Sequence, residues 1–366
     1  MKKKILFISD VPDFKGGAEK SLFDLMLNPH IEPILIVPSY HEIAIAANEK
    51  SIQTYIVDFG KVLTVRRPFK LLDIPRTFIS AVKAAAAINK IAKEHDVTCM
   101  HSNGLKAHGI GAIARIMGGK PLISHIRSIP YTPIEKIFWQ AIRLISAKLI
   151  LVSRPCWHGN NLPKNIKVIF NGINLPKTNF SHTPGKPFII GFAGRLQFTK
   201  GVDTLIEWFT YSYKNGLDIK LLIKGEAAPD EQEYKNKLEQ MVIDNNLSEV
   251  CIFLGKIKKI EDIYNNIDIN VVSSIVPDPL PRSVMEACAF GIPVIRYPSG
   301  GIPYMIEDKK SGFLVKNKEE FFTIVKELIN HPTLYQTTSN EAIKRAKECF
   351  PLDRLHQLVN DAYNSL

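Results

Sequence analysis

The residues Phe188-Ile-Ile-Gly-Phe-Ala-Gly194 form a short apolar run that ends in glycine, a pattern typical of a buried strand in a parallel sheet. Similar runs follow it at 218–225, 250–255, 267–274, 292–297 and 312–315. Longer segments with helical apolar spacing separate these runs. Alternation of this kind predicts βαβ units, because parallel strands need a crossover connection.

The same rhythm precedes Phe188. Apolar runs lie at 5–9, 33–37, 54–57, 97–102, 121–125, 149–153 and 167–170. Between the two sets lie Asn171-Gly172 and a polar stretch with Pro176, Pro184 and Pro187, which is typical of a linker. We therefore predict two doubly wound α/β domains facing a cleft, where the carboxyl ends of strands can meet a ligand.

The segment after Pro351 has apolar residues at helical spacing and no strand after it. We predict a C-terminal helix that crosses back to the first domain. The predicted domains are then 1–173 together with 351–366, and 174–350.

The composition excludes several classes of protein. The chain has 366 residues, of which 45% are hydrophobic, and its 21 Gly are far too few for a collagen. It has no apolar run of roughly twenty residues, as a membrane-spanning helix would need. The five Cys are widely spaced and lack metal-type spacing, and the N-terminus lacks a signal-peptide pattern, so we expect reduced thiols and a cytoplasmic protein.

The net charge of +11 is unevenly distributed. Residues 1–175 contain 24 Lys and Arg against 12 Asp and Glu, whereas residues 176–366 contain 23 against 24. Such asymmetry indicates an anionic partner, either nucleic acid or the surface of a membrane.

The strongest local motif is Pro277-Asp-Pro-Leu-Pro-Arg-Ser-Val-Met-Glu-Ala-Cys-Ala-Phe-Gly-Ile-Pro-Val-Ile295. Pro281 predicts the start of a helix, with Asp278 in the loop before it and Glu286 within it. Ionised carboxylates accept hydrogen bonds from sugar hydroxyls, and a helix N-terminus favours a phosphate. A surface helix with a solvated Glu is the alternative interpretation of this spacing.

Two glycine-containing turns are further candidates. Arg195 and Lys200 follow Gly194 and could neutralise a diphosphate at the end of a strand. Gly16 and Gly17 open a helix after the first strand, where a backbone can closely approach a ligand. The alternative interpretation is solvated cations in the first case and a tight turn with positive φ in the second.

The fourth candidate is Ser124-His125-Ile126-Arg127-Ser128, at the end of a predicted strand. His125 and Arg127 should project to the same side because side chains alternate along a strand. A histidine there either contacts a ligand or is structural.

These four motifs, in this order, resemble glycosyltransferase family 4, the retaining nucleotide-sugar transferases of GT-B fold. The matching features of the second half are Gly194-Arg195-Leu196, Lys200-Gly201, Asp278 with Glu286, Ala289-Phe-Gly-Ile-Pro-Val294 and Gly300-Gly301. Asn171-Gly172 matches the interdomain Asn-Gly of the family. Asp278 departs from the pattern, since Glu is usual there.

The resemblance implies roles for individual residues. Arg195 and Lys200 would bind the donor diphosphate, Glu286 the ribose hydroxyls and Asp278 the transferred sugar, with Ser283 also in the donor site. Gly17 would border the donor phosphates, and His125 would lie near the reacting carbon or the primary hydroxyl of the sugar. We assign Gly16 and Arg127 to the acceptor, and count His125, Asp278, Arg195 and Lys200 as the catalytic set.

The implied reaction is hexosyl transfer from a nucleoside diphosphate sugar, the commonest donor in the family being a UDP-sugar, to a saccharide hydroxyl with retention of configuration. The cations would stabilise the leaving diphosphate. We expect no metal and no other cofactor, because the sequence has no Asp-x-Asp motif and no His/Asp cluster with ligand spacing.

The acceptor prediction depends on the segment 61–93. It contains eight basic residues and many apolar residues, but only one acidic residue, Asp73. This pattern suits peripheral docking on an anionic membrane, although a solvated amphipathic helix is an equal alternative. We hypothesise a lipid-linked or lipopolysaccharide acceptor in the biosynthesis of a bacterial surface polysaccharide.

Other functions stay open. A nucleotide-sugar epimerase of the same fold would consume donor without an acceptor, and a sugar phosphorylase would need a pyridoxal-binding lysine. A basic protein that only binds nucleic acid or a membrane is the non-enzymatic alternative. We expect no nucleic-acid partner, because the sequence has no zinc finger, no RNA-recognition aromatics and no helix-turn-helix pattern.

Overall fold

The computed structural model describes residues 2–14, 16–64, 74–176 and 182–366. They form two compact units, Met1–Gly172 with Leu352–Leu366 and Ile173–Pro351, referred to below as the first and second domains. The thirteen predicted strands are all present, with ends displaced by at most two residues. Each domain contains one parallel sheet, so the predicted pair of doubly wound α/β domains is confirmed.

The first domain has a seven-stranded sheet in the order β3-β2-β1-β4-β5-β6-β7. Its strands are β1 (Lys3–Ser9), β2 (Ile31–Val37), β3 (Gln53–Ile56), β4 (Cys99–Asn103), β5 (Leu122–Ile126), β6 (Lys148–Leu151) and β7 (Ile166–Val168). Its helices are α1 (Gly17–Met26), α2 (Glu42–Glu49), α3 (Lys61–Thr64), α4 (Ile74–Glu94), α5 (Leu105–Ile116), α6 (Pro133–Ile145) and the terminal α13 (Leu352–Asn364). Strands β1, β4 and β5 are almost wholly buried, as expected for a parallel sheet covered on both faces.

The terminal helix α13 belongs to the first domain, as predicted. Leu355, Val359 and Tyr363 are buried in the same apolar cluster as Phe7 of β1. Polar contacts also hold the helix: Lys3 Nζ donates to the carbonyl of Tyr363 at 2.9 Å. The helix is therefore an integral part of the first domain, although it is remote in sequence.

The second domain has a six-stranded sheet in the order β10-β9-β8-β11-β12-β13. Its strands are β8 (Phe188–Ala193), β9 (Ile219–Lys224), β10 (Cys251–Gly255), β11 (Ile269–Val272), β12 (Val294–Arg296) and β13 (Phe313–Leu314). Its helices are α7 (Val202–Lys214), α8 (Gln232–Asp244), α9 (Ile260–Tyr264), α10 (Arg282–Ala289), α11 (Lys318–Asn330) and α12 (Pro332–Cys349). The order reverses at β8, with β9 on one side and β11 on the other, which in doubly wound sheets marks where ligands bind.

Two further observations concern the cysteines and the lengths of the helices. All five cysteines are free, and burial raises the pKa of the Cys99, Cys251 and Cys288 thiols to about 12. No helix in the described part of the chain is long and apolar enough to cross a bilayer.

Candidate functional site

Asp278 forms an ion pair with Lys200 in the second domain. It lies in the loop before α10, as predicted, and its Oδ2 accepts a hydrogen bond from Lys200 Nζ at 2.9 Å. Its Oδ1 accepts from the backbone N–H of Leu280 at 3.1 Å. The side chains of Lys200 and Asp278 are 26% and 20% exposed, so a ligand can reach both charges.

Glu286 lies inside α10 and is held by two donors. Its Oε1 accepts from Arg282 Nε at 3.2 Å, and its Oε2 accepts from the hydroxyl of Tyr264 at 3.1 Å. Burial, together with the charge of Glu286, raises the pKa of Tyr264 well above its usual value, so the phenol keeps its proton and donates. A carboxylate offers about four acceptor positions, which leaves capacity for ligand hydroxyls.

The glycine turn after β12 packs against the Asp278 loop. The backbone N–H of Gly301 donates to the carbonyl of Asp278 at 2.9 Å. Gly300 has φ +64°, and a Cβ built there would meet the Asp278 carbonyl oxygen at 2.3 Å. Glycine is needed at 300 both for its conformation and for this close approach.

Arg296, the last residue of β12, is a buried cation near this loop. It is fully buried, and its Nη2 donates to Ser299 Oγ at 3.0 Å. Its Nε and Nη1 have no hydrogen-bond partner among the described residues. Burial lowers its pKa to about 10, against the opposing effect of the Asp278 charge, so the guanidinium stays charged at neutral pH.

Arg195 and Ser283 are the remaining predicted site residues of the second domain. Arg195 follows β8 and is exposed, and its guanidinium has no ion pair within the described residues. Ser283 lies half-buried in the first turn of α10, and its carbonyl accepts from Tyr264 at 3.4 Å. The structure thus gathers Lys200 with Asp278, and Glu286 with Ser283 through Tyr264, but records no contact from Arg195 to either group.

In the first domain, His125 and Arg127 project to the same side, as predicted. Arg127 Nη2 lies 3.3 Å from His125 Nδ1, and Arg127 Nε donates to Asn103 Oδ1 at 2.6 Å. Arg127 Nη1 also donates to Asn171 Oδ1. Three neighbouring groups therefore set the orientation of the guanidinium.

Arg127 lines a pocket of about 360 Å³ at the carboxyl ends of the central strands, whereas His125 is fully buried and does not line it. Other lining residues are Asp10, Asn103, His108, Tyr131 and Trp139. Burial raises the pKa of Asp10, partly opposed by the backbone N–H of Lys106, which donates to its Oδ2 at 2.7 Å. Aromatic rings beside polar groups suit a saccharide, whose apolar faces alternate with hydroxyls.

The predicted glycine pair opens α1 without left-handed backbone. Gly16 precedes the helix with an extended φ of −166°, and Gly17 is the first helical residue. The alternative of a turn that needs positive φ is therefore wrong for this pair. Neither glycine lines the pocket, but the next two residues, Ala18 and Glu19, do.

Sequence reasoning missed several of these groups. Asn103, Tyr264 and Arg296 stand in buried strands or helices, where nothing local distinguishes them from core residues. Arg282 could have been found, since it lies one helical turn before Glu286. Among the described residues, no group of three or more His, Cys, Asp or Glu side chains could hold a metal ion.

Comparisons with known proteins find similarity to glycosyltransferases. Residues 176–347, nearly all of the second domain, match the family model of glycosyl transferases group 1. An uncharacterized glycosyltransferase of Haemophilus influenzae is 27% identical over 217 residues, which are 58% of this chain and 54% of that protein. The capsular polysaccharide biosynthesis glycosyltransferase CapM of Staphylococcus aureus is 22% identical over 357 residues, 88% of this chain and 89% of CapM.

The crystal structure of Anabaena HepE in complex with UDP and glucose superposes with a TM-score of 0.81 at 21% identity, covering all of both chains. At that identity the likeness shows the fold, which is GT-B. Together, the family model and the relatives support a group 1 glycosyltransferase, with relatives in polysaccharide biosynthesis.

Proposed function

We propose that this chain is a metal-independent, retaining glycosyltransferase of family 4 that moves a hexosyl group from a UDP-sugar to a saccharide acceptor. The observation that carries the proposal is the pair of Lys200 with Asp278, which lies in the loop before the helix that contains Glu286, within the segment that matches glycosyl transferases group 1. HepE, which shares the fold, was crystallised with UDP and glucose, and this supports UDP as the nucleotide of the donor.

The chemistry follows from the charges of the second domain. The diphosphate gains negative charge as the glycosyl bond breaks, and Lys200 and the exposed Arg195 would stabilise it electrostatically. Asp278 and Glu286 would accept hydrogen bonds from the transferred sugar and the ribose. No divalent ion is then needed to neutralise the leaving group.

The donor is tested by thermal shift with UDP, GDP, ADP and their sugar derivatives, since a ligand that binds the native state raises its apparent stability. We expect UDP compounds to give the largest shift, with and without a chelator. Lys200→Met should lose most of that shift, whereas Lys235→Met should keep it, because Lys235 lies on α8 and pairs with Glu239 on the same helix. Equal shifts from all nucleotides, or none, would refute the donor assignment.

The first domain is the proposed acceptor domain. Its pocket combines Arg127 with the rings of Tyr131 and Trp139 and is also lined by acidic side chains, which suits a saccharide because its hydroxyls can both donate and accept hydrogen bonds. Consumption of UDP-sugar with each candidate acceptor, and without one, separates transfer from epimerisation. Donor consumption without any acceptor would favour the epimerase instead.

We also propose that the first domain docks on an anionic membrane surface, with helix α6 as an apolar contact. Ile134, Ile137 and Leu144 are 68%, 69% and 72% exposed, and with Ala141 they lie within about 80° of the helix circumference. Exposed apolar side chains grouped in this way mark an interaction surface.

Basic residues supply the complementary charge. On α4, Arg76, Lys83, Lys90 and Lys93 are exposed, beside exposed Phe78 and Ile79 at its N-terminal end. Arg66, Arg67, Lys70 and Asp73 of the predicted basic segment lie outside the described residues. Each basic residue near an anionic surface contributes about 1 kcal/mol, so the excess of positive charge in this domain favours docking.

Liposome flotation tests this part. We expect binding to vesicles with anionic lipid and little binding to neutral ones. The double variant Ile137→Asn with Leu144→Asn should weaken binding, whereas Ile243→Asn on α8, where Ile243 is 58% exposed, should not. Equal binding by all three proteins would remove α6 from the proposal.

A further inference from the structure

A chain of buried hydrogen bonds joins the terminal helix to the pocket of the first domain. The hydroxyl of Tyr363, on α13, lies 2.8 Å from His101 Nδ1, and His101 Nε2 lies 3.2 Å from His125 Nδ1. The same His125 nitrogen lies 3.3 Å from Arg127 Nη2. Tyr363, His101 and His125 are each at most 1% exposed, so water does not compete for these bonds.

The direction of every bond in this chain follows from Arg127. A guanidinium can only donate, so His125 Nδ1 accepts from Arg127 and carries no proton. The proton of His125 is then on Nε2, which has no hydrogen-bond partner among the described residues. His101 Nε2 faces the same lone pair of His125 Nδ1 and can share it only as a donor. A neutral His101 that is protonated at Nε2 has an unprotonated Nδ1, which accepts from the hydroxyl of Tyr363.

The alternative arrangement leaves groups of the same kind facing each other. If His101 carried its proton on Nδ1, its Nε2 lone pair would face the lone pair of His125 Nδ1. If His125 then moved its proton to Nδ1, that N–H would face the donating Arg127. The hydroxyl of Tyr363 can donate to His101 Nδ1, as required by the tautomer of His101 that lets His125 accept from Arg127.

Both histidines are uncharged in the folded domain. Burial, reinforced by the charge of Arg127 and by the neighbouring His108, lowers the pKa of His101 to about 3. Burial and the same cation hold the pKa of His125 well below its usual value. The hydrogen-bond directions are therefore constant throughout the neutral range of pH.

We propose that Tyr363 is a positioning residue, whose hydroxyl orients the Arg127 guanidinium in the first-domain pocket through His101 and His125. Arg127 is the member of the chain that lines the pocket, and Asn103 and Asn171 hold its other nitrogens. In this assignment His125 acts through Arg127 and is not a catalytic residue. The kinetic consequence rests on the proposed function, but the tautomers do not.

Nuclear magnetic resonance of 15N-histidine-labelled protein tests the tautomers directly. The signals of His101 are assigned through its ring contact with Phe7, at 5.0 Å between centroids, and those of His125 through His101. We expect both rings to be protonated at Nε2 and not to titrate between about pH 5 and 8. Protonation of His125 at Nδ1, or titration near the usual pKa, would overturn the proposal.

Tyr363→Phe keeps the ring and removes the hydroxyl. We expect the His101 nitrogen shifts to move, and the KM for the acceptor to rise about fivefold, the equivalent of one hydrogen bond, with the donor KM unchanged. The control is Tyr335→Phe in the second domain, which also removes a buried hydroxyl, one that donates to the carbonyl of Asp268 at 2.8 Å. It should lower stability by a similar amount and leave the acceptor KM unchanged.

The histidine signals test the positioning role of Tyr363, and the search for an acceptor tests the proposed function. Unchanged histidine signals in Tyr363→Phe, or an equal rise of the acceptor KM in both variants, would refute the positioning role. If no saccharide acceptor is found, the proposed function fails, and the histidine signals of the wild type and of Tyr363→Phe still decide whether the chain of hydrogen bonds exists.

Discussion

Gly300→Ala is the substitution that most sharply tests the geometry around Asp278. The new Cβ would lie 2.3 Å from the carbonyl oxygen, 2.8 Å from the nitrogen and 3.0 Å from the carbonyl carbon of Asp278. All three atoms are backbone, so no side-chain rotation relieves the contact. Since ordinary van der Waals contact begins near 3.4 Å, the two loops must separate by about 1 Å.

That displacement should disconnect Asp278 from Lys200. Their atoms are 2.9 Å apart, and a shift of about 1 Å takes the pair beyond hydrogen-bonding distance. The free energy of unfolding should fall by about 1–2 kcal/mol because the substituted residue must keep a left-handed backbone, and by a further 1–3 kcal/mol or so from the steric overlap.

Gly216→Ala is the matched control in the same domain. Gly216 also has a positive φ, +89°, but a Cβ built there meets no atom within 4 Å. It therefore isolates the backbone contribution of about 1–2 kcal/mol. Urea denaturation measures the stability of both variants, and calorimetric titration with a UDP-sugar measures binding at the donor site.

We expect Gly216→Ala to bind the UDP-sugar as the wild type does and Gly300→Ala to bind it at least tenfold more weakly. The reasoning would be refuted if the two variants were equally stable and bound the UDP-sugar equally well. Loss of stability without loss of affinity for the UDP-sugar would show that Asp278 does not contribute to the donor site.

Three further changes test other parts of the molecule. Glu286→Gln removes the negative charge that Arg282 and Tyr264 hold in place. The affinity for UDP should fall about tenfold or more, the cost of losing a hydrogen bond to a charged group. The control Glu239→Gln on α8 should have no effect in the same titration. Arg195→Gln removes an exposed cation that has no ion pair among the described residues, so we expect unchanged stability and a lower kcat in the transferase assay; an unchanged kcat would exclude Arg195 from leaving-group stabilisation. Three buried histidines stay neutral in the folded protein but bind protons below about pH 6.5 when it unfolds: His101, His108 and His125. Their contribution to stability is therefore complete above that pH and is lost as the pH falls towards about 3. The free energy of unfolding should fall by about 1.4 kcal/mol per histidine and pH unit. Urea midpoints of the first domain at pH 7.5 and 5.5 measure this loss, and equal midpoints would contradict it.

The fold was predictable because it depends on patterns that span whole segments. Short apolar runs that alternate with helical spacing are visible along the entire chain, and they give the strands of both sheets to within two residues. The terminal helix was predictable for a similar reason: Leu355, Val359 and Tyr363 share one face and need a core to cover it. A single residue that departs from such a pattern does not change the predicted strand or helix.

The partners of the site residues were less predictable. Asp278 and Glu286 stand out because a polar loop and a helix start surround them, but Tyr264, which donates to Glu286, precedes it by 22 residues in another helix. Contacts of this kind depend on the sheet order, which brings α9 and α10 together only after folding. Arg296 shows the same limit, since a single cation in a buried strand is a local exception that only the structure reveals.

The roles of His125 and Arg127 are where the structure changes the interpretation most. Their alternation along β5 predicted two side chains directed at a ligand, and only Arg127 lines the pocket. His125 is instead enclosed between Arg127 and His101, and it is neutral because burial and the adjacent cation both oppose its protonation. A neutral ring that accepts from a guanidinium can hold that guanidinium but cannot neutralise it. His125 therefore positions Arg127 at the pocket without changing the charge of the guanidinium.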